Sequence, residues 1–171
     1  MPDLVIRIKK KSDGSAALSC IRADGSTTWQ QQDGELGRFF PLHDLTHYAV
    51  ESVLELRRAF FGLVAEGWDL TDFGRSGTKG RIPEEAGLAE VIVGFFDLER
   101  ATCVLGTAED FAWKITSYYA DKGLPPMSFR LSQAQIDEVR RLRGELFAQW
   151  ESLPPGDALE LSFDRSAESA A

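Results

Sequence analysis

The sequence predicts an α+β fold, with an antiparallel sheet made of an N-terminal three-stranded meander and a C-terminal strand, and three to four helices packed on one face. Three observations carry this expectation. Residues 4–32 hold three strand-like runs separated by Asp-Gly pairs at 13–14 and 24–25. Residues 42–152 then show apolar patterns of helical period, and residues 158–163 alternate again. Strands first, helices next and one strand last is the order of α+β proteins rather than of repeated βαβ units. The 171 residues suit one domain. We read 1–165 as that single α+β domain and 166–171, which carries no pattern to bury, as a flexible C-terminal tail.

In the first run Leu4, Ile6 and Ile8 share one face, and Val5, Arg7 and Lys9 share the other. Asp13-Gly14 supplies a turn, residues 16–22 a second strand and Asp24-Gly25 another turn. Thr27-Thr28-Trp29-Gln30 is the β-branched and aromatic third run. Asp-Gly marks tight hairpins because glycine accepts positive φ without strain. After Pro41 one long helix is expected over 42–65, where Leu42, Leu45, Ala49, Val53, Leu56, Phe60 and Leu63 form a single apolar arc. A second helix is expected over 84–101, with Pro83 near its start and Glu84 and Glu85 in the first turn, where the dipole favours carboxylates. Residues 109–119 suggest a further short helix. Ser132 and Gln135 fit a capping box for a helix reaching 152, which Pro154-Pro155-Gly156 stops.

Composition narrows the function. A formal charge of −8 and a pI near 4.8 disfavour a nucleic-acid partner, because a phosphate backbone meets a repulsive average field. No stretch approaches the ~18 apolar residues of a membrane span. The first residues alternate with charge and lack a signal-peptide pattern, so a cytoplasmic location is expected. Cys20 and Cys103 are expected as reduced thiols, with Cys103 an ordinary buried one.

The most pointed feature is the histidine pair. His43 and His47 are the only histidines, four apart, which stacks their rings one turn apart on one helix face, close enough to share a metal ion. They sit at the border between the apolar arc and the acidic face, near a helix start that favours neutral imidazole. The run His43-Asp44-Leu45-Thr46-His47 resembles the His-Glu-x-x-His motif of zinc peptidases. Asp44 stands where that motif has its general-base Glu and is one methylene shorter, and the resemblance extends no further than these residues. The expectation is a divalent metal, zinc or manganese, and metal-assisted hydrolysis with Asp44 or Glu51 accepting the proton. Glu99 is the expected third ligand. It lies on the apolar face of the second helix, and an antiparallel pairing of the two long helices brings it level with His47 or Val50. The bland alternatives are an ion pair of Glu99 with Arg57 or Arg58, and structural histidines held by hydrogen bonds and partial burial.

The competing function is a non-enzymatic interaction or regulatory domain. The aromatic pairs at 39–40, 60–61 and 95–96 cannot all face inward from one helix side, which suggests a partner surface and a homodimer through a helix face. The identity of a small-molecule or protein partner is not legible. The Gly-rich basic segment 74–81 reads as a surface loop, since it does not match a P-loop. Arg140, Arg141 and Arg143, flanked by Asp137, Glu138 and Glu145, read as an ion-paired helix face.

Overall fold

The computed structural model describes residues 1–73 and 82–165, so the segment 74–81 and the expected tail 166–171 lie outside the described residues. Strands β1 (Leu4–Lys10), β2 (Ala16–Arg22) and β3 (Thr27–Gln32) form the expected antiparallel meander, and β4 (Ala158–Phe163) joins it beside β1. The order is β3-β2-β1-β4. Both hairpin turns work as the Asp-Gly pairs predict. Gly14 and Gly25 adopt φ of 82° and 83°, while Asp13 and Asp24 accept the backbone N–H of Ser15 and Ser26 at 2.9 and 2.8 Å. The alternation in β1 holds as well: Leu4, Ile6 and Ile8 are fully buried under the helices, and Arg7 and Lys9 are exposed.

Among the described residues five helices follow the meander: α1 (Phe40–Val53), α2 (Phe60–Ala65), α3 (Glu84–Thr102), α4 (Ala108–Asp121) and α5 (Gln133–Ser152), with one 3-10 turn at Leu70–Asp72. They cover a single face of the sheet, and Phe61, Phe96, Phe111 and Ile92 fill the space between the layers. α1 packs against both α3 and α5. α4 starts at a capping box, Thr107 with Asp110, and α5 at the expected one, Ser132 with Gln135.

One element departs from expectation. The apolar arc over 42–65 is not one helix, because α1 stops at Val53 and α2 begins at Phe60. Glu55 turns into the left-handed region at φ 55°, and Leu56 N–H bonds back to the Glu51 carbonyl at 3.0 Å. Residues 54–59 themselves contain no Pro or Gly, and the apolar wheel runs straight through them. The arc persists because both pieces bury apolar faces, α1 against α3 and α5, and α2 against β1 and β2. The sign of the break is Gly62. A Cβ there would lie 2.0 Å from the carbonyl oxygen of Arg57, so the returning chain can approach only where there is no side chain.

This contact yields a pair of opposite expectations. Gly62→Ala forces backbone apart and is expected to cost at least about 2–3 kcal/mol in urea unfolding. Gly94→Ala, in mid-helix with nothing within 4 Å of the new methyl, is expected to add about 0.5–1 kcal/mol. Equal effects at the two positions would contradict the close approach at Gly62.

Candidate metal centre

His43 and His47 point from the first two turns of α1 toward α3, which runs antiparallel across it. Asp97 stands opposite His43, and Glu90, two turns earlier on α3, stands opposite His47. His43 Nδ1 is 2.7 Å from Asp97 Oδ2. His47 Nδ1 is 3.2 Å from Glu51 Oε1 on its own helix, and its Nε2 is 3.3 Å from Glu90 Oε1. Each Nδ1 is thus held by a carboxylate, which leaves Nε2 as the nitrogen for an ion. His43, His47 and Glu90 each offer a ligand atom within 4.8 Å of the others. Two ligands at ~2.0–2.1 Å from one tetrahedral ion lie about 3.3 Å apart, the present His47–Glu90 spacing. The imidazole rings meet edge to face with centroids 4.8 Å apart, flanked by Phe39 on the His43 side and Phe60 on the His47 side.

The cluster has a buried floor and an open rim. The His47 side chain is 2% exposed, that of His43 22% and that of Glu90 56%. Burial alone pulls the His47 pKa down. The hydrogen bonds and charges of Glu51 and Glu90 outweigh it and push the value up to about 10. Burial raises Glu51 above the ordinary carboxylate range, against the hydrogen bond from His47. Burial would raise Glu90 too, but its bond to His47 holds it below that range. Two carboxylates therefore share one imidazole, a donor set that suits either a proton or a divalent cation.

The remaining sequence candidates are placed elsewhere. Glu99 does not join the cluster. It lies two residues beyond Asp97, about 200° around the helix at ~3.6 residues per turn, and so faces α5. Its carboxylate accepts Arg140 Nη2 at 2.5 Å, Arg140 Nε at 3.2 Å and the Gly106 N–H at 2.8 Å. The antiparallel pairing of the helices holds, but the break at 54–59 changes the register on which Glu99 was chosen. Its ion-pair partner is Arg140, not Arg57 or Arg58. Asp44 is buried and turned toward the sheet, where it accepts a hydrogen bond from Gln32 Nε2, and burial pushes its carboxyl up to about 6. Glu51 Oε2 accepts the N–H groups of Phe61 and Gly62 at 2.9 and 3.4 Å, while Oε1 faces His47. That placement makes Glu51 a residue that positions His47.

Sequence reasoning missed Glu90 and Asp97. Their spacing of seven puts both on one face of α3, and this was the available signal. Cys103 is exposed, correcting the buried reading, and sits in the left-handed cap of α3 at φ 57°. The arginine cluster is ion-paired as read, with Arg141 bridging Glu138 and Glu145. Arg143 departs from this pattern: it is buried and donates to the Phe96 carbonyl at 2.7 Å. Comparison with protein-family models, curated proteins and solved structures finds no match to this chain.

Two expectations follow from these placements. Glu99→Gln leaves Arg140 and Arg143 without their shared counter-charge and is expected to cost about 3 kcal/mol in chemical denaturation. A change under 0.5 kcal/mol would contradict the pairing. For the thiols, burial raises Cys20 to about 12. A disulfide reagent at pH 8 is therefore expected to titrate one thiol in the folded protein, Cys103, and two after unfolding. Two fast-reacting thiols in the folded chain would contradict the burial of Cys20.

Proposed function

We propose that His43, His47 and Glu90 hold a divalent cation, zinc or manganese, and that the chain uses it in metal-assisted hydrolysis. The observation that supports this reading is the pair of outer carboxylates. Asp97 and Glu51 each hold one imidazole through Nδ1, His47 Nε2 faces Glu90 at 3.3 Å, and His43 offers a ring nitrogen within 4.8 Å of the other two ligand atoms. Three protein ligands with an open, solvent-facing side leave room for water or substrate, as catalytic sites require. A bound divalent ion supplies Lewis acidity and lowers the pKa of coordinated water. Asp44 and Glu51, expected as the base, have other partners. Glu90, at 56% exposure, is the carboxylate of the cluster that faces solvent.

A second reading is favoured by two observations. His47 lies between Glu51 and Glu90 as a buried imidazolium would, a purely structural ion pair. Leu98, Val104, Leu105 and Trp113 are exposed at and beyond the end of α3, a surface suited to an interaction module or homodimer. Among the described residues no helix is long and apolar enough to cross a membrane.

Metal content separates the readings. Protein purified without a nickel column and incubated with zinc is expected to carry near one equivalent, and a chelator is expected to lower its melting temperature. His43→Ala/His47→Ala is expected to abolish both, and Glu90→Gln to weaken binding by tenfold or more. Asp97→Asn is expected to weaken it by about 10–100-fold, the usual range for an outer partner of a ligating histidine. Glu99→Gln is expected to retain the metal. No zinc or manganese in the parent protein, with a monomer–dimer equilibrium by sedimentation, would favour the interaction reading.

A further inference from the structure

A cavity of about 620 Å³ opens where the N-terminal turn of α3 meets the end of α4. It lies within the ~300–1,000 Å³ range of small-molecule sites. Tyr119, Leu124 and Pro125 give it an apolar side, and Gly87, Arg58 and Glu84 also line it. Gly87 lies inside a helix, where glycine costs about 1 kcal/mol relative to alanine, yet a Cβ there would meet nothing within 4 Å. Packing therefore does not require the glycine, whose missing side chain adds directly to the space.

Two paths on the structure join this cavity to the metal cluster. Gly87 precedes Glu90 by three residues, about 4.5 Å along α3 and 60° around it. On the other side Arg58 is two residues from Phe60, whose ring packs on His47 with centroids 5.3 Å apart. Gly87 of the cavity and Glu90 of the cluster thus lie within a single turn of α3.

Resting on the metal reading, we infer that this cavity is the specificity pocket of the metal site, receiving an apolar, phenyl-sized group of a small molecule whose polar end ligates the ion. The apolar wall would remove that group from water, at about 25 cal/mol per Å² of buried surface. The substrate class is then an amphipathic small molecule with its reacting group a few bonds from an aromatic or branched apolar end, not a bare inorganic anion.

The test uses the full chain loaded with zinc and two hydroxamate probes, acetohydroxamate and 3-phenylpropanohydroxamate, titrated by calorimetry. The phenyl probe is expected to bind at least tenfold more tightly. Gly87→Leu, which narrows the cavity on the turn shared with Glu90 without a clash at Cβ, is expected to erase that preference, with zinc content and acetohydroxamate affinity unchanged. Leu124→Ser, on the 41% exposed wall residue, is expected to reduce it as well. Equal binding of the two probes, or a preference that survives in Gly87→Leu, overturns the inference while the retained zinc leaves the metal reading standing. Absence of zinc from the parent protein overturns both, and the metal assay reports that result separately.

Discussion

The Glu51 carboxylate, fully buried where α1 ends and the chain turns back into α2, is the constraint on which fold and site both depend. A carboxylate at that depth is costly unless both of its oxygens are hydrogen-bonded. Glu51 meets the requirement with donors from two elements: the His47 imidazole on α1 and the Phe61 and Gly62 amides at the start of α2. Those amides belong to the first turn of a helix and have no partner within it. The same side chain therefore closes a helix start, pins the break and fixes the ring orientation of a candidate ligand. The close approach at Gly62 makes this geometry possible, because only there can the α2 amides come near the end of α1.

α3 divides three of its acidic residues between two partners, with different consequences. Glu90 and Asp97 face the histidines of α1, whereas Glu99 faces Arg140 and Arg143 of α5. Glu99 is saturated by a guanidinium and a backbone amide, so its charge is neutralised and its role is to tie α3 to α5 and to the turn before α4. Around His47 the balance is different. One imidazole faces two carboxylates, and a dication relieves that excess of negative charge more fully than a single proton does. The aromatic rings of Phe39 and Phe60 pack on the two imidazoles from either side, and the burial of His47 strengthens its charge interaction with Glu51.

The sheet acts as a platform more than as a participant. Its inner face, closed by Leu4, Ile6, Ile8, Leu18 and Cys20, anchors the helices. Arg22 reaches from β2 to the carbonyls of Val64 and Trp68, and Gln32 reaches from β3 to Asp44. These contacts hold α1 and α2 at fixed heights above the strands. The histidines consequently project sideways to α3, and the cluster opens at the edge of the helical layer instead of into the core.

Local patterns in the sequence were enough for the class of fold, the meander with its two Asp-Gly turns, the membership of the last strand in the sheet and the capping of α5, while that strand's place beside β1 came from the tertiary structure. They also placed His43 and His47 on one face of one helix. All of these depend on interactions within a few residues: turn chemistry, period-two or period-3.6 burial, and i,i+4 stacking. The tertiary structure decided the break between α1 and α2, the register of α1 on α3, and so the choice of Glu90 and Asp97 over Glu99. Apolar periodicity could not reveal the break, since Ala49 and Val50 before it, Leu56 within it and Phe61 and Val64 after it are all buried. Nor could it choose between Glu90 and Glu99, because a carboxylate next to a buried imidazole and one next to a buried guanidinium look alike until the helices are in contact. Which acidic residue meets which cation is set by the lengths of the connections and the rotation of α3, properties of the whole chain and not of any short run in it.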